Sequence, residues 1–175
     1  RLGAARGPTP AVTAYLDTSA LLRLVLREAG ALDRLRTLDR LVSSELIVVE
    51  TARTIDRLRH QGALSAEEAI DRVDAINEWF EAIDLVLLRP PVLNRAREPL
   101  PVPLGTVDAL HLATALTWRD RMAEPLVMAT HDQALALAAR AFESGRLEDE
   151  FNRTSFTGIV DGWHFLDRGK TWVLS

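Results

Sequence analysis

The chain has 175 residues, 47% apolar and 26% charged, which supplies a sizeable core and excludes collagen-like, low-complexity or disordered chains. It has no cysteine, so disulfide scaffolds, thiolate metal sites and cysteine nucleophiles are excluded, and no apolar run nears the roughly 20 residues of a membrane helix. The net charge of −4 argues against a protein that coats nucleic acid non-specifically. It still admits an acidic nuclease, because carboxylates that hold metal lower the net charge while nearby arginines hold phosphate; Lys170 is the only lysine among 21 basic residues.

Residues 1–11 lack a hydrophobic signal core and read as a flexible leader or a remnant foreign to the fold. Residues 12–16 form an apolar run suited to a buried strand. Asp17, Thr18 and Ser19 follow as N-cap types, and residues 20–28 read as a helix with Gly30 as its terminator. Residues 46–59 read as a second helix, with Val48, Ala52 and Ile55 on one face. Ser65 and Glu68 form a capping box, and Ala69, Val73, Ile76, Phe80 and Ile83 then repeat at helical spacing. Residues 85–88 read as a second buried strand stopped by Pro90 and Pro91, and residues 99–103 as a loop. A helix is expected over 107–119, a third strand over 126–129, and a helix to residue 142 opened by a capping box from Thr130 to Gln133. The remainder, 143–175, begins acidic and becomes rich in glycine and aromatics; residues 156–160 and 171–174 read as strands of a hairpin. Strands alternating with helices predict an α/β domain over 12–142, with a mostly parallel sheet flanked by helices, and an atypical extension over 143–175.

Open α/β sheets bind ligands beyond the carboxyl ends of their strands. Asp17 follows the first predicted strand, Asp132 lies two residues past the third, and Asp108 sits in the first turn of a helix begun by Gly105 and Thr106. Each alone is explained as a helix cap. Together at one edge they repel, which is expensive without a cation, and Mg²⁺ or Mn²⁺ suits hard oxygen ligands. Glu50 is a fourth acid, set among Val48, Val49 and Ala52; Glu45 competes for its role but stands where a capping or dipole role suffices. His111 shares a helix face with Asp108 and reads first as a packed histidine, while His131 reads as exposed. Arg53, Arg57 and Arg59 continue past Glu50 as a solvated face that also suits an RNA backbone. Trp79 and Phe80 read as partly exposed core.

The segment from Tyr15 to Leu22 resembles the opening of PIN-domain proteins, especially VapC toxins. The segment from Ser43 to Glu50, that from Thr106 to Ala115, and the run Ala129-Thr130-His131-Asp132 resemble the family's other three acidic motifs, in order. The resemblance implies that Asp17, Glu50, Asp108 and Asp132 are the acidic quartet of a metal-dependent ribonuclease. It implies that Ser19 and Thr130 support those acids or touch phosphate. It further implies a toxin of a type II toxin–antitoxin pair, acting in the cytoplasm on RNA with Mg²⁺ or Mn²⁺, a small VapB-type antitoxin partner and homodimerisation. Two other classes compete. A phosphatase would use Asp17 as its nucleophile, but Ser19 stands where that chemistry usually has a second aspartate. A catalytically silent partner-binding domain would not need all four acids.

Overall fold

A computed structural model describes residues 12–28, 35, 38–144, 156–159, 164–167 and 170–173. The expected leader and Gly30 lie outside them. Five strands form one parallel sheet in the order β3-β2-β1-β4-β5. They are β1 (Thr13–Leu16), β2 (Arg40–Ser44), β3 (Ile83–Val86), β4 (Leu126–Ala129) and β5 (Phe156–Ile159). The helices are α1 (Thr18–Val25), α2 (Leu46–His60), α3 (Ala66–Ala82), α4 (Pro90–Ala96), α5 (Thr106–Met122) and α6 (Gln133–Ser144).

The pleat explains the layers. Successive side chains of a strand point to opposite faces, so Ala14 and Leu16 enter one core and Tyr15 enters the other. Leu21 of α1, Ile47 and Ile55 of α2, and Ala69 and Ile76 of α3 fill the first core. Leu112 and Leu116 of α5 and Leu135 and Ala138 of α6 fill the second with Tyr15, Val42 and Met128. A parallel sheet covered on both faces needs continuous apolar strands, and β1 and β4 are buried throughout.

Several elements depart from the sequence expectation. β2 was not expected, since RLVSS ends in two serines; both are fully buried, with Ser43 donating to Leu16 O at 2.6 Å. β3 begins two residues early and is an edge strand with mostly exposed side chains, not a buried one. Pro90 and Pro91 do stop the chain from remaining extended, but they then open α4, because proline's fixed φ suits the first helical turn. α1 ends at Val25, and Arg27 turns the chain at φ 59°. Thr106 lies inside α5, whose N-cap is Gly105. The capping box of α3 forms as expected: Glu68 N donates to Ser65 Oγ at 3.1 Å and Ser65 N to Glu68 Oε2 at 2.8 Å. α6 is capped by Asp132, whose Oδ1 accepts Leu135 N–H at 2.7 Å, not by Thr130.

Beyond residue 142, β5 extends the main sheet by pairing with β4. The hairpin is formed instead by β6 (His164–Asp167) and β7 (Lys170–Val173), which pair antiparallel; residues 160 and 174 of the expected strands lie outside the described residues. No helix among the described residues is long and apolar enough to cross a membrane.

α2 is rotated from the expected face. Ile47, Thr51 and Ile55 are its buried residues, whereas Val48 is 39% exposed and Ala52 is exposed. Ile55→Ala should therefore lower the unfolding free energy by roughly 2–5 kcal/mol. Val48→Ala should stay within about 0.5 kcal/mol of the parent. Urea unfolding of the two variants checks this, and equal losses would return Val48 to the buried face.

Candidate active site

The chain runs outward from β1 through β2 to β3, then returns to place β4 on the other side of β1. Such a reversal opens a crevice at the carboxyl ends of the strands. Leu16 and Ala129, the last residues of β1 and β4, are register partners, so the segments leaving the two strands meet at that crevice.

Asp17 follows β1 and is only 5% exposed. Its N–H donates to Ala129 O at 3.1 Å, which ties it to β4. Its Oδ1 accepts the Ala20 N–H at 3.0 Å, capping α1, and the Ser19 hydroxyl at 2.6 Å. Its Oδ2 accepts the Thr130 hydroxyl at 2.6 Å. Ser19 Oγ and Thr130 Oγ1 in turn accept the N–H groups of His131 at 2.8 Å and Asp132 at 2.9 Å. Ser19 and Thr130 thus support Asp17 and shape the loop that carries Asp132. His131 is half-buried, not exposed as its sequence position suggested.

Glu50 reaches the same region from α2. Its Oε2 accepts the Thr18 hydroxyl and the His111 Nε2–H, both at 2.6 Å. Burial alone would raise this carboxyl, but the His111 and Thr18 hydrogen bonds outweigh it and hold Glu50 below its ordinary value. The neighbours that made Glu50 look buried do not enclose it, since Val49 is 59% exposed. His111 is buried and does more than pack: its Nδ1 lies 2.8 Å from the Tyr15 hydroxyl, which accepts the Ser44 N–H at 3.1 Å. Burial pushes the Tyr15 phenol far above its ordinary 10.0, so it remains an O–H.

Asp108, in the first turn of α5, accepts no hydrogen bond from any described residue. Its carboxyl is raised above the ordinary 3.8, first by burial and then by the charges of Asp132 and Asp17, with Glu50 adding to the effect and His111 opposing it. The three other acids of the proposed quartet are therefore within electrostatic reach of Asp108. Glu45 stands apart: its Oε1 accepts Leu88 N–H at 2.7 Å and ties down the connection from β3 to α4. It does not cap α2 with its side chain; Ser44 Oγ accepts the Leu46 N–H instead. Arg53 is 71% exposed and pairs with Asp56 at 3.1 Å, so it is not drawn into the acidic group.

Among the described residues no three His, Asp or Glu side chains make a ready-made metal cage. The donor set nonetheless suits a hard divalent ion. Mg²⁺ keeps several waters and needs only one or two carboxylates directly. Glu50 Oε1 and both oxygens of Asp108 have no described hydrogen-bond donor. A cation would relieve the repulsion that raises Asp108.

The chain belongs to the PIN-domain family, whose model matches residues 14–141. Ribonuclease VapC46 of Mycobacterium tuberculosis is 41% identical over 104 residues, which span 58% of this chain and 72% of that protein. Two crystal structures share the fold. PAE2754 from Pyrobaculum aerophilum has a TM-score of 0.52 at 17% identity, covering 74% of this chain and 86% of its own. VapBC2 from Rickettsia felis, bound to a DNA fragment from their promoter, has a TM-score of 0.51 at 11% identity, covering 69% and 89%.

Sequence reasoning read Thr18 only as an N-cap type and gave Tyr15 and Ser44 no role of their own at the site. A signal was present for Tyr15: a tyrosine in a short apolar strand buries a hydroxyl that must find a partner.

The raised carboxyl of Asp108 fixes the sign of a pH effect. Its contribution to stability is complete below the ordinary 3.8 and is lost as pH rises through the raised value. In chelator, Asp108→Asn should melt at the same temperature as the parent at low pH and increasingly above it as pH climbs past 3.8. Paired thermal melts across that interval test it; a difference independent of pH would mean that Asp108 does not feel the other acids.

Proposed function

We propose that this chain is a Mg²⁺- or Mn²⁺-dependent endoribonuclease, the toxin of a type II toxin–antitoxin pair acting in the cytoplasm. The observation that carries the reading is the setting of Asp108: its carboxyl accepts no hydrogen bond from any described residue and is raised first by burial and then by the charges of Asp132 and Asp17, a poor arrangement for stability alone and a suitable one for a cation. The 41% identity to a protein named as a ribonuclease supports the same chemistry. Residues 12–142 make up the nuclease unit in this reading, and residues 143–175 are an added segment.

Asp17, Glu50, Asp108 and Asp132 would hold the metal. When bound, it supplies an activated water for in-line attack on the phosphodiester and offsets charge on the phosphoryl oxygens. The chain's own groups prepare the site. Ser19 and Thr130 keep Asp17 aimed by donating to both its oxygens. The α1 N-terminus adds positive potential behind it. Arg53, one turn beyond Glu50 and exposed, would meet an RNA phosphate in this reading. The same hydrogen bonds weaken a phosphatase reading, because a carboxylate accepting three donors is a poor nucleophile, and Ser19 is one of the donors.

A VapB-type antitoxin and a second copy of the chain complete the reading. Val48 and Val49 flank Glu50 and are exposed, as are Ile70 and Val73 on α3. A partner covering those side chains would remove apolar surface from water and shield the site at once.

Asp17→Asn should abolish cleavage and cost about 1–3 kcal/mol of stability, because it turns an acceptor into a donor against Thr130. Glu50→Gln should lose far more activity than Glu45→Gln, which keeps an acceptor for Leu88 N–H. RNA cleavage assays with circular dichroism as a folding control decide both, and the reverse order of Glu50 and Glu45 would reject the assignment. Metal linkage gives an independent check. Mn²⁺ at a hundredfold excess over its Kd stabilises the folded state by about 2.7 kcal/mol. That amounts to a rise of roughly 5–10 °C in Tm for a domain of this size. Unchanged melting with Mn²⁺ and with chelator would overturn metal dependence.

A further inference from the structure

The bonds around Glu50 are all on one oxygen. Thr18 and His111 both donate to Oε2, and no described residue donates to Oε1. An ionised carboxylate only accepts, so His111 Nε2 carries a hydrogen toward Glu50, and Nδ1 on the far side of the ring lies 2.8 Å from the Tyr15 hydroxyl. Tyr15 is itself held by Ser44 N–H, and its ring stands edge-on to the imidazole, 5.9 Å away at 76°. A chain of hydrogen-bonding contacts therefore runs from the end of β2, through β1 and α5, to the acid on α2. His111 is 2% exposed and Tyr15 fully buried, so neither ring can turn without disturbing the core. A packed filler at position 111 would need none of these bonds in register.

We propose that His111, locked by Tyr15, is a positioning residue for Glu50: it holds Oε2 inward so that Oε1 is the oxygen offered to the cation. A glutamate on a partly exposed helix face otherwise samples many rotamers, and holding it in advance spares that entropy when metal binds. Partners that hydrogen-bond a ligating group are worth about 10–100-fold in metal affinity or activity. The inference rests on Glu50 being a metal ligand, as proposed above.

The test uses the full chain and Mn²⁺ as probe, with affinity read by electron paramagnetic resonance and folding by melts in chelator. His111→Leu fills the space without the bonds and should weaken Mn²⁺ binding about 10–100-fold. His111→Gln places an amide N–H near the Nε2 position and should recover most of the affinity. His111→Asn reaches only the Nδ1 position, keeps the Tyr15 side alone and should resemble His111→Leu. Tyr15→Phe should fall between. Wild-type affinity in His111→Leu overturns the proposal, and so does His111→Gln binding no better than His111→Asn. If His111→Leu fails to fold, the comparison of Gln with Asn decides. Glu50→Gln separates the two layers: undiminished Mn²⁺ binding there rejects Glu50 as a ligand, whereas loss there with none in the His111 variants removes only the role of His111.

Discussion

A charge taken out of water must be given hydrogen bonds, and the way Asp17 meets that demand organises the rest of the molecule. The group is buried at the end of the central strand. Its three side-chain bonds come from α1 and from Thr130 beyond β4, and its own N–H reaches back to β4. Removing any donor would leave part of a buried carboxylate unpaired, which is costly at low dielectric. The chain is therefore held at one place where three elements meet, and that place is the crevice made by the change in strand order.

Around this fixed acid the other carboxylates are treated differently. Glu50 is kept charged by donors from α1 and α5. Asp108 receives no donor from the described residues and is pushed up by burial and then by its acidic neighbours. Asp132 divides its duties, capping α6 while adding its field to Asp108. The structure thus stabilises two of the charges internally and leaves one at a disadvantage, which is the pattern expected where a ligand's charge completes the balance. On α2 the apolar side chains of Val48 and Val49, which flank Glu50 in sequence, remain exposed.

The acidic motifs were legible because each lies beside a local signal. Asp17 follows an apolar run, Asp132 follows another, and Asp108 opens a helix; strand ends and helix starts are marked by residues within a few positions of one another. The capping box of α3 was legible for the same reason. The misread elements lacked such signals. The serines that end β2 carry no strand signal of their own and are placed only by their bonds inside the sheet. The proline pair that opens α4 marks a break equally well whether a loop or a helix comes next. The buried face of α2 has two candidate stripes, and only the position of the sheet chooses Ile47, Thr51 and Ile55.

By itself, then, the sequence determined the class of fold, the order of the strands and helices along β1 to α6 apart from β2 and α4, and which carboxylates stand at strand ends. These are consequences of periodicity and of caps, both of which act over a few residues. Tertiary structure alone decided that Asp17 is the acid Thr130 reaches, across 113 positions, and that His111 would hydrogen-bond Glu50 across 61. It also decided that Glu45 would serve a loop rather than the acidic group. Hydrogen bonds of that kind depend on which strands are neighbours and on which face each helix presents, and both are outcomes of burying apolar surface over the whole domain.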